Sequence, residues 1–269
     1  MNKKLLVFLR AYNDIDHITP ILYKWLIVTD IPVDVVITSN RSFLNDYRIK
    51  FLNQFQNFTL YHVDDFLSKA ERKMKNKLQI DRMLDYIMGA INKGIIVFDW
   101  TFRDFVKLVS NSAKERGYKT VSLPHGDRPF YNLMETLDDL DFSRLDKSAS
   151  DLDIFDYRVY PNTLCAVRYE SSIDSENIKI LGSPRYNSEW IDIISSLIPK
   201  YDDHKSRVKL KIVFFLRNYN YSIFWYEVIR TIKLILGFPD IYLIVKHHTR
   251  SATVSRLINT YPELGKNSS

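Results

Sequence analysis

Short apolar runs alternate with longer amphipathic stretches along most of the chain. The runs are rich in Val, Ile and Leu and predict strands at 5–10, 33–39, 58–63, 94–100, 119–124, 157–162 and 177–182. The stretches between them have helical spacing and predict helices at 17–29, 41–55, 65–92, 101–116 and 187–197, of which 65–92 is long enough to be broken. Apolar strands that alternate with helices are typical of a parallel sheet covered on both faces. The pattern therefore predicts an α/β fold.

The few glycines fall where this division needs them. The chain contains 7 glycines, whereas average usage would give roughly 19. Gly94, Gly117 and Gly237 each follow a predicted helix and precede a strand, which is where a left-handed residue ends many helices. Gly126 and Gly182 instead follow strand ends. Because open parallel sheets bind ligands beyond the carboxyl ends of their strands, these two glycines mark candidate ligand loops.

A second unit is predicted to follow a linker at 199–210, which is polar and carries Pro199. Residues 1–198 form the first domain, and 211–269 open the second with a strand at 211–217, a helix at 222–236 and a strand at 241–248. The segments FLRAYN (8–13) and FLRNYN (215–220) match at five of six positions, which favours two pseudo-repeated α/β units. Two strands and two helices do not complete a doubly wound domain. Either this small unit packs as a lobe on the first sheet, or the second domain is truncated and the chain is a fragment of a longer protein, which is the interpretation we favour.

Composition narrows the class of protein. The 269 residues are 46% hydrophobic and carry a formal charge of +6, which excludes disorder as the main state. The basic excess is explained mostly by a solvated surface, suits an anionic substrate or a membrane surface, and is weak support for nucleic-acid binding. The single cysteine, Cys165, lies in an apolar run and fits a buried thiol in a reducing compartment. With no signal-peptide pattern and no apolar run of about 18 residues, the sequence predicts a cytoplasmic protein, at most peripheral at the inner face of the cell membrane.

Several familiar catalytic signatures are absent from the sequence. It contains neither GxGxxG nor GxxxxGK[ST], so neither a dinucleotide oxidoreductase nor a P-loop enzyme is indicated. GxSxG and HExxH are missing as well. Asp-x-Asp occurs at 14–16, 139–141 and 151–153, and we discount it as a metal-nucleotide motif because the chain is rich in aspartate.

Polar residues crowd the segment that follows the first predicted strand. Arg10, Asn13, Asp14, Asp16 and His17 lie within eight positions of each other, in what the pattern predicts to be a strand-to-helix loop. Asn13 or Asp14 can cap the following helix, but capping does not explain the other three. An Asp and a His in one loop can orient each other as a general base, so a functional role is favoured over capping alone.

A second cluster follows the strand predicted at 119–124, which leads directly into His125, Gly126 and Asp127. Glycine allows the backbone to approach a ligand closely. The histidine and the aspartate then offer a base or a partner for an oxyanion, whereas the plainer interpretation is a turn histidine with its hydrogen bonds satisfied.

A third cluster is Gly182, Ser183 and Arg185, which lie directly before the helix at 187–197. Backbone amides of a Gly-Ser turn that enters a helix form an anion-binding nest, and Arg185 adds a bidentate contact to a phosphate or a carboxylate. The alternative is a tight turn between domains, and the two interpretations are compatible.

A fourth cluster, KHHTR at 246–250, again follows a strand. Adjacent histidines in an extended segment point to opposite faces, so they are poor ligands for one metal ion and a zinc site is rejected. Lys246, one histidine and Arg250 suit a polyphosphate. Arg217, at the end of the first strand of this unit, is a further cation of the same kind.

Four segments taken together resemble a known superfamily: LPHGD at 123–127, LGSPRYNSEW at 181–190, FLR at 215–217 and VKHHTR at 245–250. They are similar to GT-B-type enzymes of bacterial surface-polysaccharide synthesis, a superfamily that includes nucleotide-sugar glycosyltransferases and the UDP-GlcNAc 2-epimerase-like and CDP-glycerol glycerophosphotransferase-like groups. The resemblance implies a Rossmann-like first domain with a parallel sheet and an incomplete second Rossmann-like domain. The chain departs from the family in stopping before the half of the second domain that holds the donor nucleotide.

The resemblance implies a metal-independent glycosyltransferase that needs no cofactor and moves a sugar from a nucleotide-sugar donor to a cell-surface polysaccharide or lipopolysaccharide. The loops at 10–17 and 125–129 would face the acceptor, with Asp16 or Asp127 as the base and His17 and His125 as rivals. The remaining candidates would bind substrate or neutralise its phosphate: Arg10, Asn13, Asp14, Gly126, Gly182, Ser183, Arg185, Arg217, Lys246, His247 and Arg250. A sugar-nucleotide 2-epimerase and a truncated, non-catalytic binding module remain as alternatives, and no nucleic-acid partner is indicated.

Overall fold

The computed structural model describes residues 3–68, 70–71, 77–89, 91, 93–98, 104–123, 154–167, 170, 175–198, 210–216, 225–246 and 259. The described residues up to 198 belong to one compact unit and those from 210 to 246 to another. Residues 199–209 of the predicted linker lie outside the described residues, so the predicted domain limits stay a prediction.

The first unit is built on a parallel sheet of seven strands in the order β3-β2-β1-β4-β5-β6-β7. The strands are β1 Lys3–Leu9, β2 Val33–Ile37, β3 Phe58–His62, β4 Lys93–Phe98, β5 Lys119–Ser122, β6 Tyr157–Tyr160 and β7 Ile178–Ile180. In the centre of the sheet Val7 lies opposite Val35 on one side and Val97 on the other. The predicted α/β, Rossmann-like fold is confirmed, because every pair of neighbouring strands in this sheet is parallel.

The strands alternate with helices. In the described part of this unit these are α1 Tyr12–Val28, α2 Tyr47–Leu52, α3 Lys77–Met88, α4 Asp104–Glu115, α5 Thr163–Val167 and α6 Ser188–Leu197. Three 3-10 turns are also present, at Arg41–Asn45, Val63–Asp65 and Pro184–Tyr186. The predicted helix at 41–55 is divided into a 3-10 turn and α2, because the side chain of Asp46 accepts a hydrogen bond from the N–H of Arg48 and starts a new helix there. Within the predicted helix at 65–92, the described residues include α3, which ends at Met88 with Gly89 at φ +55°.

The largest difference from the sequence prediction is the start of α1. The segment 10–17 was expected to be a loop, but the helix begins at Tyr12. Asp14 lies in its first turn, and Oδ2 accepts hydrogen bonds from the N–H groups of Arg10 and Ala11 at 2.7 and 3.0 Å. A carboxylate that reaches back to the amides before the helix satisfies donors that would otherwise have no partner, which allows the helix to start five residues earlier than predicted.

Both faces of the sheet are covered, as the apolar strands predicted. Successive side chains of a strand point to opposite faces, so Leu6 and Phe8 of β1 pack into one cluster while Val7 and Leu9 pack into another. The first cluster contains buried residues of α3 and α4, and the second contains buried residues of α1 and α2. The two layers of helices hold the carboxyl ends of the strands in fixed positions.

The second unit contains a parallel pair of strands and one helix in its described part: β8 Leu210–Phe215, α7 Trp225–Leu236 and β9 Ile241–Lys246. Ile229 and Ile232 of α7 pack with Leu216 in a small core. The sequence predicted this order of strand, helix and strand, and the described residues confirm it. β8 begins at Leu210, the last residue of the predicted linker.

None of the described helices is both long enough and apolar enough to cross a membrane. α1, with 17 residues, has Asp14, Asp16 and Lys24 among them. The location at the inner face of the membrane stays a prediction.

A carboxylate ties β5 to the segment before β6. Asp156 accepts hydrogen bonds from the N–H and the hydroxyl of Thr120 at 2.8 and 2.9 Å, and Lys119 Nζ lies 3.2 Å from its other oxygen. Burial raises the pKa of Asp156, but the hydrogen bonds from Thr120 and the charge of Lys119 outweigh it, so the pKa lies below the ordinary value. A lowered pKa in the folded state means that the stabilisation is complete above about pH 4 and is lost as the pH falls further.

Asp156→Asn is therefore expected to remove part of the acid dependence of stability. The free energy of unfolding of the wild type should fall more steeply below about pH 4 than that of the variant, because the variant has no carboxylate to protonate. Urea unfolding between pH 3 and 6 measures this slope. Identical slopes for the two proteins would contradict the prediction.

Candidate functional site

The order of the strands places the candidate site at the carboxyl end of β1. The chain proceeds from β1 through β2 to β3, and then crosses back so that β4 lies on the other side of β1. Ligands of open α/β sheets bind outside the carboxyl ends of the strands where the strand order reverses in this way. β1 ends at Leu9, so Arg10 and the first turns of α1 lie at that position.

The predicted site residues in and just before the first turns of α1 differ in their exposure to solvent. Arg10 and Asn13 are exposed, and the side chain of Asp16 is 38% exposed. Asp14 and His17 are 5% and 2% exposed. Asp14 is engaged in the capping bonds described above, and His17 lies inside the unit. Of the two groups predicted to share catalysis in this segment, Asp16 is the one that solvent or a substrate can reach.

Two arginines hold the Asp16 carboxylate. Arg48 Nη1 on α2 lies 2.9 Å from Asp16 Oδ1, and Arg185 Nη1, beyond the sheet in the turn before α6, lies 3.5 Å from Oδ2. The side chains of Arg48 and Arg185 are only 6% and 18% exposed. The structure thus brings together two predicted residues: Asp16, which was assigned to the acceptor, and Arg185, which was assigned to the phosphate. It also adds Arg48, which the sequence analysis missed.

Arg48 is fixed on its other side by Asp46. Its Nε and Nη2 donate to the two oxygens of the Asp46 carboxylate at 2.9 and 2.8 Å. Burial lowers the pKa of Arg48, but the hydrogen bonds and the charge of Asp46 outweigh it and raise the pKa above its ordinary value. The guanidinium also lies 5.8 Å from the ring centre of Tyr12 and 5.2 Å from that of Tyr47, within the range of cation–π attraction. Arg48 is therefore a charged group with a single orientation.

Hydrogen bonds from the neighbouring strands fix the backbone at Arg10. The Ser39 hydroxyl, after β2, donates to the carbonyl of Arg10, and the Thr38 N–H donates to that of Leu9 at 2.8 Å. His62 Nδ1, at the end of β3, lies 3.1 Å from the N–H nitrogen of Asp64, and its Nε2 lies 2.9 Å from the Ser39 carbonyl oxygen. The sequence analysis missed His62, although a histidine that ends an apolar strand and precedes two aspartates was a usable signal.

The turn before α6 is shaped by Gly182. Its φ is +85°, a conformation that favours glycine. Ser183 then precedes the 3-10 turn without a side-chain capping bond, and Asn187 caps α6 by accepting from the N–H of Trp190 at 3.3 Å. This turn carries Arg185 to Asp16. Anion binding at Gly182 and Ser183 stays a prediction, and a phosphate there would share Arg185 with Asp16.

The remaining candidates cannot be placed beside this cluster. Lys246 ends β9 in the second unit and is exposed. The others lie outside the described residues: His125, Gly126, Asp127, Arg217, His247 and Arg250. Their roles stay predictions. Within the described part of the chain, no group of three or more His, Cys, Asp or Glu side chains is arranged to hold a metal ion.

Comparison with known proteins identifies the fold. No protein-family model matches the chain, and no curated protein matches it in sequence. Among solved structures, the UDP-GlcNAc 2-epimerase of Neisseria meningitidis bound to UDP-GlcNAc covers 97% of this chain with a TM-score of 0.57 at 12% identity. A putative UDP-N-acetylglucosamine 2-epimerase of Listeria monocytogenes covers 96% with a TM-score of 0.58, also at 12% identity. At such identities the likeness shows the fold alone, and it confirms the predicted GT-B-type fold.

The chain covers 69% of the Neisseria structure and 66% of the Listeria structure. The glycosyltransferase neighbours fit less closely. The Acinetobacter baumannii protein MurG covers 97% of this chain at 10% identity with a TM-score of 0.41, and the chain covers 63% of it.

Proposed function

We propose that the protein is a glycosyltransferase that moves a sugar from a nucleotide-sugar donor to a cell-surface glycan at the cytoplasmic side of the membrane. The fold supports an enzyme that acts on nucleotide sugars, since the Neisseria epimerase was solved with UDP-GlcNAc bound. The single observation that carries the proposal is the Asp16 carboxylate. It is 38% exposed, lies just beyond the central strand where ligands of such sheets bind, and is held by two arginines.

Asp16 is proposed to receive the proton of the acceptor hydroxyl. Each carboxylate oxygen has two acceptor positions. Arg48 donates a hydrogen bond to Oδ1 at 2.9 Å, and Arg185 forms an ion pair with Oδ2 at 3.5 Å. As the proton passes to Asp16, the acceptor oxygen forms a bond to the anomeric carbon of the donor, and the bond from that carbon to the phosphate oxygen breaks. The nucleotide leaves with the bonding electrons as an anion.

The cations of the second unit are proposed to stabilise that anion. They are Arg217, Lys246, His247 and Arg250, and they would act by charge without a metal ion. Because Arg185 pairs with Asp16, we propose that it mainly positions the Asp16 carboxylate beside the acceptor. Contact with the phosphate of the donor is a second proposed role.

A sugar-nucleotide 2-epimerase is the second candidate, and one observation favours it. The reported neighbours with TM-scores above 0.5 are UDP-GlcNAc 2-epimerases. In an epimerase the Asp16 cluster would act on the donor sugar itself, and no acceptor would be needed.

An assay with the nucleotide-sugar donor alone distinguishes a glycosyltransferase from a 2-epimerase. We expect a glycosyltransferase to release nucleotide from a nucleotide sugar only slowly by itself, and at least about tenfold faster once a matching glycan acceptor is added. Chromatography of the nucleotide and NMR of the sugar follow both reactions. Conversion of the sugar at C2 without an acceptor would replace transfer by epimerisation, and absence of nucleotide binding would remove both.

A further inference from the structure

Two ion pairs join α1 to the segment 184–190. Asp16 pairs with Arg185 as described, and Lys24 Nζ lies 2.9 Å from Glu189 Oε2. Positions 16, 20 and 24 of a helix lie on one side of it, a turn apart, so the two pairs lie at either end of a strip along α1. Between α1 and the segment lies a cavity of about 370 Å³, which is within the range of about 300–1,000 Å³ that holds small ligands.

The floor of this cavity is apolar and rich in rings. Besides Lys24 and Glu189 its lining comprises Pro20, Ile21, Tyr23, Pro184, Asn187 and Trp190. The rings of Tyr23 and Trp190 pack against each other with centres 5.8 Å apart, and Trp190 is 2% exposed. The ring of Trp190 therefore lies behind the cavity and packs against Tyr23.

The polar groups lie at the rim. The side chains of Lys24 and Glu189 are 57% and 45% exposed, and they offer donors and acceptors with no net charge. A rim without net charge disfavours a phosphate, whereas ring walls with nearby donors and acceptors match a sugar, which has apolar C–H faces and hydroxyls at its edge.

We propose that this cavity binds a neutral sugar ring of the acceptor glycan. The inference deepens the proposed function and rests on it. The cavity begins at Pro20, which is four residues and therefore about 6 Å along the helix from the proposed base, Asp16. One ring of the acceptor lies in the cavity, and the hydroxyl that is to react belongs to the adjoining ring at the Asp16 carboxylate.

The test compares a substitution that fills the cavity with the same kind of substitution elsewhere on α1. Ile21→Trp places a larger side chain in the cavity, and Ile27→Trp makes the same change on α1 at a residue that is 43% exposed and does not line it. Saturation-transfer NMR uses the methyl glycosides of glucose, galactose and N-acetylglucosamine as probes. At least one probe is expected to bind the wild type and the Ile27 variant, and to bind the Ile21 variant about tenfold more weakly. Binding of none of the three probes, or equal binding to both variants, would overturn the proposal.

A second variant guards against misfolding of Ile21→Trp. Lys24→Ala removes an exposed donor at the rim and is expected to weaken the same probe about threefold to tenfold, since it removes one charge-assisted hydrogen bond at a solvated position. Unchanged binding to this variant would count against a ligand at the rim.

Turnover separates this inference from the proposed function. Ile21→Trp is expected to raise the KM for the acceptor, whereas Ile27→Trp, which lies outside the cavity lining, is expected to keep the wild-type KM. If sugars bind at the cavity but none is transferred, the function fails and the binding site stands. If transfer occurs and the acceptor KM of Ile21→Trp equals that of the wild type, the function stands and the cavity proposal fails.

Discussion

Asp16→Asn is expected to lower turnover by about 10²–10⁴, the usual range for loss of a general base. Asparagine keeps the shape of the side chain and one oxygen that accepts the hydrogen bond from Arg48, but it does not take up a proton. Arg48 remains held by both oxygens of Asp46, so the fold around the site should persist. The rate under saturating donor and acceptor measures the effect.

Two further variants make this result decisive. Asp30→Asn changes an exposed aspartate just after α1 and should turn over at the wild-type rate. Asp127→Asn tests the rival base of the His-Gly-Asp segment. A wild-type rate for Asp16→Asn together with a collapse for Asp127→Asn would move the base to that segment, and wild-type rates for both would remove carboxylate base catalysis from the mechanism.

The sheet was predictable because a strand that is buried on both faces has an almost continuously apolar sequence. Segments such as LLVFL in β1 and VDVVI in β2 are almost continuously apolar, which is typical of a strand inside a doubly covered parallel sheet. The glycines added their own information. Gly117 has a φ of +75° two residues after α4, as its place between a predicted helix and a strand had indicated. The same prediction was wrong for Gly94, which lies inside β4, and for Gly237, since neither has a positive φ.

The start of α1 was not predictable from the same pattern. Arg10 to His17 is polar enough to suggest a loop, and the prediction named Asn13 or Asp14 as the capping residue. The structure places Asp14 three residues inside the cap, at Ala11, which has no capping side chain of its own. The helix therefore begins without the Ser, Thr, Asp or Asn that marks most helix starts.

The arrangement of the candidate site depends on distances that no local pattern contains. Asp16 and Arg185 were both candidates, yet the sequence analysis assigned them to different parts of the substrate. The distance of 3.5 Å between their side chains depends on how the turn before α6 packs on α1, and no local pattern reports that packing. Arg48 had no local signal at all. It belongs to a short helix that was hidden inside a longer predicted one, and its link to Asp16 spans 32 positions of the chain.

Arg48→Ala is expected to lower the free energy of unfolding by about 3–5 kcal/mol, the usual result of removing one partner of a buried ion pair. The carboxylate of Asp46 is 2% exposed, and without Arg48 it would be left as a buried charge with two hydrogen bonds fewer. Urea unfolding at neutral pH measures the loss.

The companion variant Arg48→Lys distinguishes charge from geometry. Lysine restores a cation but lacks the planar fork that bonds both oxygens of Asp46 and also reaches Asp16. We expect it to recover part of the lost stability while turnover stays well below that of the wild type, because the Asp16 carboxylate would no longer be held from the α2 side. A loss of less than about 1 kcal/mol in Arg48→Ala, the level of a surface ion pair, would show that the buried pair contributes little to stability. Full turnover in Arg48→Lys would show that the position of Asp16 does not depend on the guanidinium.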